Sequence, residues 1–125
     1  MAMPPIRDSA RVALAVIRIL NGTLGLLAPG VLARRLEVEY AAEPMAYPFR
    51  MFGIRTILIG TDLLTHDRAV RSHALRAAIV VHASDTVSAY AAGASGALPR
   101  RAARMTTAIS ALNVVLALLA NRRAP

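Results

Sequence analysis

Arg18, Arg55, Asp62, His82 and Asp85 all lie inside stretches of this chain that are otherwise apolar. Arg18 and Asn21 are three residues apart, as are His82 and Asp85, while Arg55 and Asp62 are seven apart. On a helix such spacings put both members of a pair on one face. Thr106, Ser110, Asn113 and Ala117 extend the pattern as a stripe of small and polar residues. Two carboxylates near arginine and histidine can divide acid and base roles, because a neighbouring guanidinium keeps one ionised while the other holds a proton. That division suits reactions in which water or an internal nucleophile is activated as a leaving oxygen is protonated. Asp85 is the expected base, positioning the nucleophile with Asn113. Asp62 is the expected proton donor, Arg55 orients Asp85, and His82 reaches either carboxylate. Arg18, Asn21 and Asn113 are the expected substrate-binding groups.

The elements that must carry these residues are four apolar segments, about 11–29, 48–66, 76–93 and 104–121. Each is roughly 27 Å long as a helix, close to the thickness of a bilayer hydrocarbon core. Period-2 alternation is nowhere sustained, so no strand competes. The breakers Pro29-Gly30, Pro44, Pro48 and the run from Gly93 to Pro99 fall between segments. The sequence predicts an all-α fold: a single domain over 1–125, a transmembrane four-helix bundle with short loops. A soluble bundle would show a polar face on each helix, and here most such positions are Ala, Val, Leu or Ile. Arg18 and Asn21 inside the first segment, without a clear small-residue cleavage site, argue against a signal peptide.

Composition agrees. Hydrophobic residues make up 56% of the chain and charged residues 18%, against about 25% charged in an average soluble domain. Cysteine is absent, which excludes disulfide scaffolds, thiolate metal sites and thiol redox chemistry. The net charge of +8 comes from arginines placed mainly at segment ends. That placement fits side chains reaching for the membrane interface and not a nucleic-acid footprint, and with no Trp there is little to stack bases on. The N-terminus, second loop and C-terminus hold seven of these arginines and the opposite side six, so the positive-inside rule places the termini in the cytoplasm by a narrow margin. His66, Asp67 and His73 match no specific metal site, and no cofactor is expected.

A charged side chain at the centre of a membrane helix costs about 2.5–3.5 kcal/mol on insertion scales, so the polar faces should turn inward and meet. Depth along ideal helices pairs Arg18 with Asp62 and Arg55 with Asp85, which neutralises a low-dielectric interior. Ser84, Ser88 and Ala92 form a small-residue ridge expected to pack a neighbouring helix.

Phe52-Gly53-Ile54-Arg55 with Gly60, followed by His82-Ala83-Ser84-Asp85 and a run of small residues, resembles a group of short bacterial four-span membrane proteins that carry a domain of unknown function. The resemblance implies a four-helix fold in the bacterial inner membrane and a role for Arg55 and Asp85. Small multidrug transporters share the size and span count but carry an essential carboxylate in the first span, where this chain has none. In side-chain inventory alone, Asp62, Arg55, Asp85, Asn113 and Tyr90 resemble the site of limonene-type epoxide hydrolases, which implies that Tyr90 helps Asn113 hold the water.

The sequence therefore predicts a membrane enzyme using Asp/His acid–base chemistry on a lipophilic small molecule, with epoxide hydrolysis or cyclisation as the reaction. Two alternatives belong to other classes. One is a proton-coupled small-molecule transporter working as a homo-oligomer, with Asp62, His82 and Asp85 as the relay. The other is a non-catalytic membrane subunit whose polar core serves assembly. An enclosed cavity within one chain would favour the enzyme, and a cleft shared between copies would favour transport.

Overall fold

Residues 5–37 and 42–122 are described by a computed structural model, and all the regular structure among them is helical. The helices are α1 (Ile6–Leu27), α2 (Pro29–Arg35), α3 (Ala42–Leu64), α4 (Arg68–Ala94) and α5 (Arg100–Ala120). The four long ones correspond to the four apolar segments. The short α2 lies where a loop was expected. Proline at its first turn starts it, since the N–H that proline lacks would be unpaired there anyway.

The helices also begin earlier than the apolar segments. Helix α4 starts at Arg68 because Asp67 caps it, its side chain accepting the backbone N–H of Ala69 at 2.9 Å and of Val70 at 3.1 Å. The basic stretch after it contains Arg and Ala, strong helix formers, so charge does not delay the helix. Helix α5 starts at Arg100, directly after Pro99. Pro48 lies inside α3 and not at its start. Its missing N–H and its ring affect only the carbonyl of residue 44, in the opening turn, so the helix tolerates it.

Helix α1 packs most extensively on α3, and α4 on α5; contacts of α1 with α5 and of α3 with α4 close the bundle. Small residues set the α1–α3 spacing. A Cβ added at Gly53 would come 2.5 Å from the Gly22 carbonyl oxygen and 2.6 Å from the Leu26 nitrogen, so only glycine allows this approach. The buried face of α3 is Gly53, Thr56, Gly60 and Leu63. A core of Leu14, Leu63, Leu75 and several alanines, among them Ala15, Ala78 and Ala117, fills the half of the bundle nearer the chain termini. Large apolar side chains also point outward, including Val12, Val16 and Leu20 on α1 and Leu112, Val115 and Leu118 on α5.

Candidate functional site

The half of the bundle that the apolar core leaves open contains a cavity of about 530 Å³. That volume lies within the ordinary range for small-molecule sites. Ile17, Phe49, Phe52, Leu98 and Ile109 supply apolar wall, and Leu32 and Leu36 flank it from the α2 side. The polar groups on the wall come from every helix: Arg18 and Asn21 from α1, Arg35 from α2, Thr56 from α3, His82 and Asp85 from α4, Ser110 and Asn113 from α5.

Arg18, His82 and Asp85 form a linear array. The Arg18 guanidinium donates to His82 Nε2. Arginine has donors only, so Nε2 must be the acceptor and the ring proton sits on Nδ1. His82 Nδ1 faces Asp85 Oδ2 at 3.8 Å. The i, i+3 spacing on α4 makes that approach, and the histidine backbone carbonyl accepts Thr86 Oγ1 at 2.7 Å in the next turn. Burial grades along the array, with Arg18 and His82 only 3% and 6% exposed. The Asp85 side chain is 48% exposed and stands on the cavity wall. A second guanidinium, that of Arg35, donates to Asn21 Oδ1 at 2.9 Å.

Two buried polar atoms of wall residues, Arg18 Nε and Asn113 Oδ1, have no hydrogen-bond partner among the described residues. Buried polar groups are nearly always satisfied, so these two atoms are unmet hydrogen-bonding capacity within residues that line the cavity. The charged wall residues among those described are two arginines and one aspartate, an excess of positive charge that matches a polar or anionic end on a lipophilic molecule.

The structure brings together Arg18, Asn21, His82, Asp85 and Asn113 and leaves out three other expected residues. Arg55 and Asp62 are exposed on α3 and do not line the cavity. The expected Arg18–Asp62 and Arg55–Asp85 pairs therefore do not form, and His82 takes the position between Arg18 and Asp85. Arg55 and Asp62 do share a face of α3, as their spacing requires, but the close glycine contact turns the Gly53–Gly60 face inward instead. Tyr90 is 71% exposed and lies off the cavity. Ser84 of the small-residue ridge is exposed, while Ser88 and Ala92 line the cavity.

Arg35 is the charged cavity-wall residue that the sequence pattern does not single out, because its place at a segment end matches that of an interfacial charge. Proline followed by an apolar and basic run from Pro29 to Arg35 is the signal that could have revealed α2 and the inward reach of Arg35. No protein-family model, curated protein or solved structure matches this chain.

Proposed function

We propose that this protein is a small integral membrane enzyme that binds a lipophilic molecule by a polar or anionic end and acts on it with Asp85 as general base. The observation that carries the reading is the array Arg18–His82–Asp85 ending on the wall of a cavity within one chain, where Asp85 is the sole carboxylate among the described residues. Membrane residence is supported by α1 and α5, which are long and apolar enough to cross a bilayer, with only 33% and 28% of their apolar windows buried inside the bundle. A core helix of a soluble protein would be mostly covered by its own chain.

One carboxylate must then perform both proton transfers that two were expected to share. Asp85 takes a proton from water or from a nucleophile within the substrate, and that nucleophile attacks carbon. For an epoxide, the carbon–oxygen bond breaks and leaves an alkoxide near Arg18 or Arg35. The protonated Asp85 then returns its proton to the alkoxide. His82 holds the array in register and fixes the orientation of Asp85, and Ser110 and Asn113 offer hydrogen bonds to the nucleophile. In this scheme the likeness to limonene-type epoxide hydrolases narrows to a single carboxylate with arginine and asparagine.

Asp85→Asn keeps size and hydrogen bonding but removes proton transfer, normally worth about 10²–10⁴-fold in rate. Purified wild type should convert lipophilic epoxides or a component of a lipid extract, and Asp85→Asn should bind but not convert it. Equal turnover by the two proteins would remove Asp85 from the chemistry.

One observation favours a second reading, proton-coupled transport by an oligomer. Arg55 and Asp62 lie on an exposed face of α3, and in a bilayer such charges need partners, which a second copy could provide. Proton-linked uptake into liposomes, lost in Asp62→Asn, would move the assignment to transport.

A further inference from the structure

At the opposite end of the bundle from the cavity, a separate cleft of about 680 Å³ is lined by Arg7, Arg11, Arg68, Arg71, Arg76 and Arg122. It lies where α1 and α4 begin and α5 ends, and it shares no residue with the cavity. Among the described residues the one acidic side chain on its wall is Asp8, whose Oδ1 lies 3.8 Å from Arg11 Nη2. Among the described residues, six guanidiniums against one carboxylate leave a large excess of positive charge in a confined space.

Two features show that helix stability does not explain this crowding. Arg7 and the pair Arg68 and Arg71 sit in the opening turns of α1 and α4. The positive end of the helix dipole favours anions there and disfavours cations. Arg11 is held from below: its Nη1 donates to the Leu63 carbonyl oxygen at 2.7 Å, at the end of α3. Its Nε is buried with no partner among the described residues. Arg11 is thus fixed beside Arg7, Arg68 and Arg71, which stand against their helix dipoles, and this group of cations has one carboxylate near it among the described residues, an arrangement suited to an anion.

We propose that this cleft binds a phosphate-bearing ligand through its arginines. Phosphate fits for a geometric reason: the planar guanidinium fork pairs two N–H donors with two phosphate oxygens, and several forks can share one or two phosphate groups. Both an anionic phospholipid headgroup and a soluble phosphate compound present those oxygens. The proposal does not depend on the assignment of the cavity, because the two sites are separate.

The test uses the purified full-length chain and two probes, inorganic pyrophosphate in solution and cardiolipin in phosphatidylcholine nanodiscs. Saturable binding of either probe is expected, and paired substitution Arg71→Gln with Arg76→Gln should weaken it about tenfold or more. Arg100→Gln with Arg104→Gln, at the other end of the bundle, should leave it unchanged. Arg71→Lys should restore only part of the affinity, since lysine keeps the charge but not the fork. If the Arg71, Arg76 pair fails to fold, Arg122→Gln at the exposed end of α5 gives the same readout. Cardiolipin binding alone identifies a headgroup site, pyrophosphate binding alone a soluble phosphate, and both support the shared chemistry. No saturable binding of either probe, or equal losses in the cleft and control variants, would overturn the proposal.

Discussion

Arg18 depends on His82 as its one side-chain partner among the described residues, and the dependence is measurable. Replacing His82 by Leu leaves a buried guanidinium without that acceptor, and hydrogen bonds to charged groups contribute about 1.5–3 kcal/mol. Arg18→Met with His82→Leu should therefore lose less stability than the two single changes summed, with a coupling of about 0.5–3 kcal/mol in unfolding measurements. Arg55→Ala and Asp85→Ala should instead add within about 0.3–0.5 kcal/mol, because their side chains lie on separate faces. Coupling in the second cycle would restore the pairing that depth alone suggested. The contrast shows what spacing conveys. Intervals of three and seven residues correctly put His82 with Asp85 and Arg55 with Asp62 on shared helix faces. They carry no information on which face a neighbouring helix covers, and for α3 the uncharged glycine face was the covered one.

Helix α3 owes its orientation to Gly53, which makes that position sensitive out of proportion to its size. Gly53→Ala would set a methyl group against the backbone of α1 at the Gly22 carbonyl and the Leu26 nitrogen. Neither is a flexible side-chain tip, so the helices must separate, and overpacking of this kind costs about 1–3 kcal/mol. Gly22 adjoins Asn21, so the same change should weaken ligand binding in the cavity; unchanged thermal unfolding and unchanged binding would show that the contact is dispensable. The long helices were legible from apolar length alone, but their starts were not. Asp67 and Pro99 act through local backbone geometry that extends helices past the apolar stretch and into charged residues. Helix α2 was illegible for a related reason: at 7 residues it is too short to show periodicity, and its two final arginines resemble a loop-end charge cluster. Arg35→Ala tests its role. It should cost about 0.5–1.5 kcal/mol for the lost bond to Asn21. It should also lower affinity for ligands with an anionic end more than for neutral ones, which a purely structural contact would not do.

The bundle as a whole combines an inner surface built largely of alanine and glycine with large apolar side chains on the outside. In water this arrangement is costly, since Val12, Val16, Leu20, Leu112, Val115 and Leu118 leave about half of their surface uncovered while small residues occupy much of the core. In a bilayer the same distribution is favourable, because lipid covers the large side chains and small residues let the helices approach for dispersion contacts. The two helices that meet the length and hydropathy requirements for a span, α1 and α5, touch each other within the bundle, and α3 and α4, which do not meet them, complete the ring. Membranes washed with alkaline carbonate, which strips peripheral proteins, should retain the full-length chain in the pellet, and detergent should release it. Adding one charge tests the same placement from the outside: Leu20→Arg on α1, a residue 61% exposed near the helix middle, should reduce membrane insertion by about 2.5–3.5 kcal/mol on the insertion scale. A soluble protein would tolerate or even gain from that charge. Recovery of the wild type in the carbonate supernatant, together with improved solubility of Leu20→Arg, would place the bundle in water and leave its cavity to be filled from solution rather than from lipid.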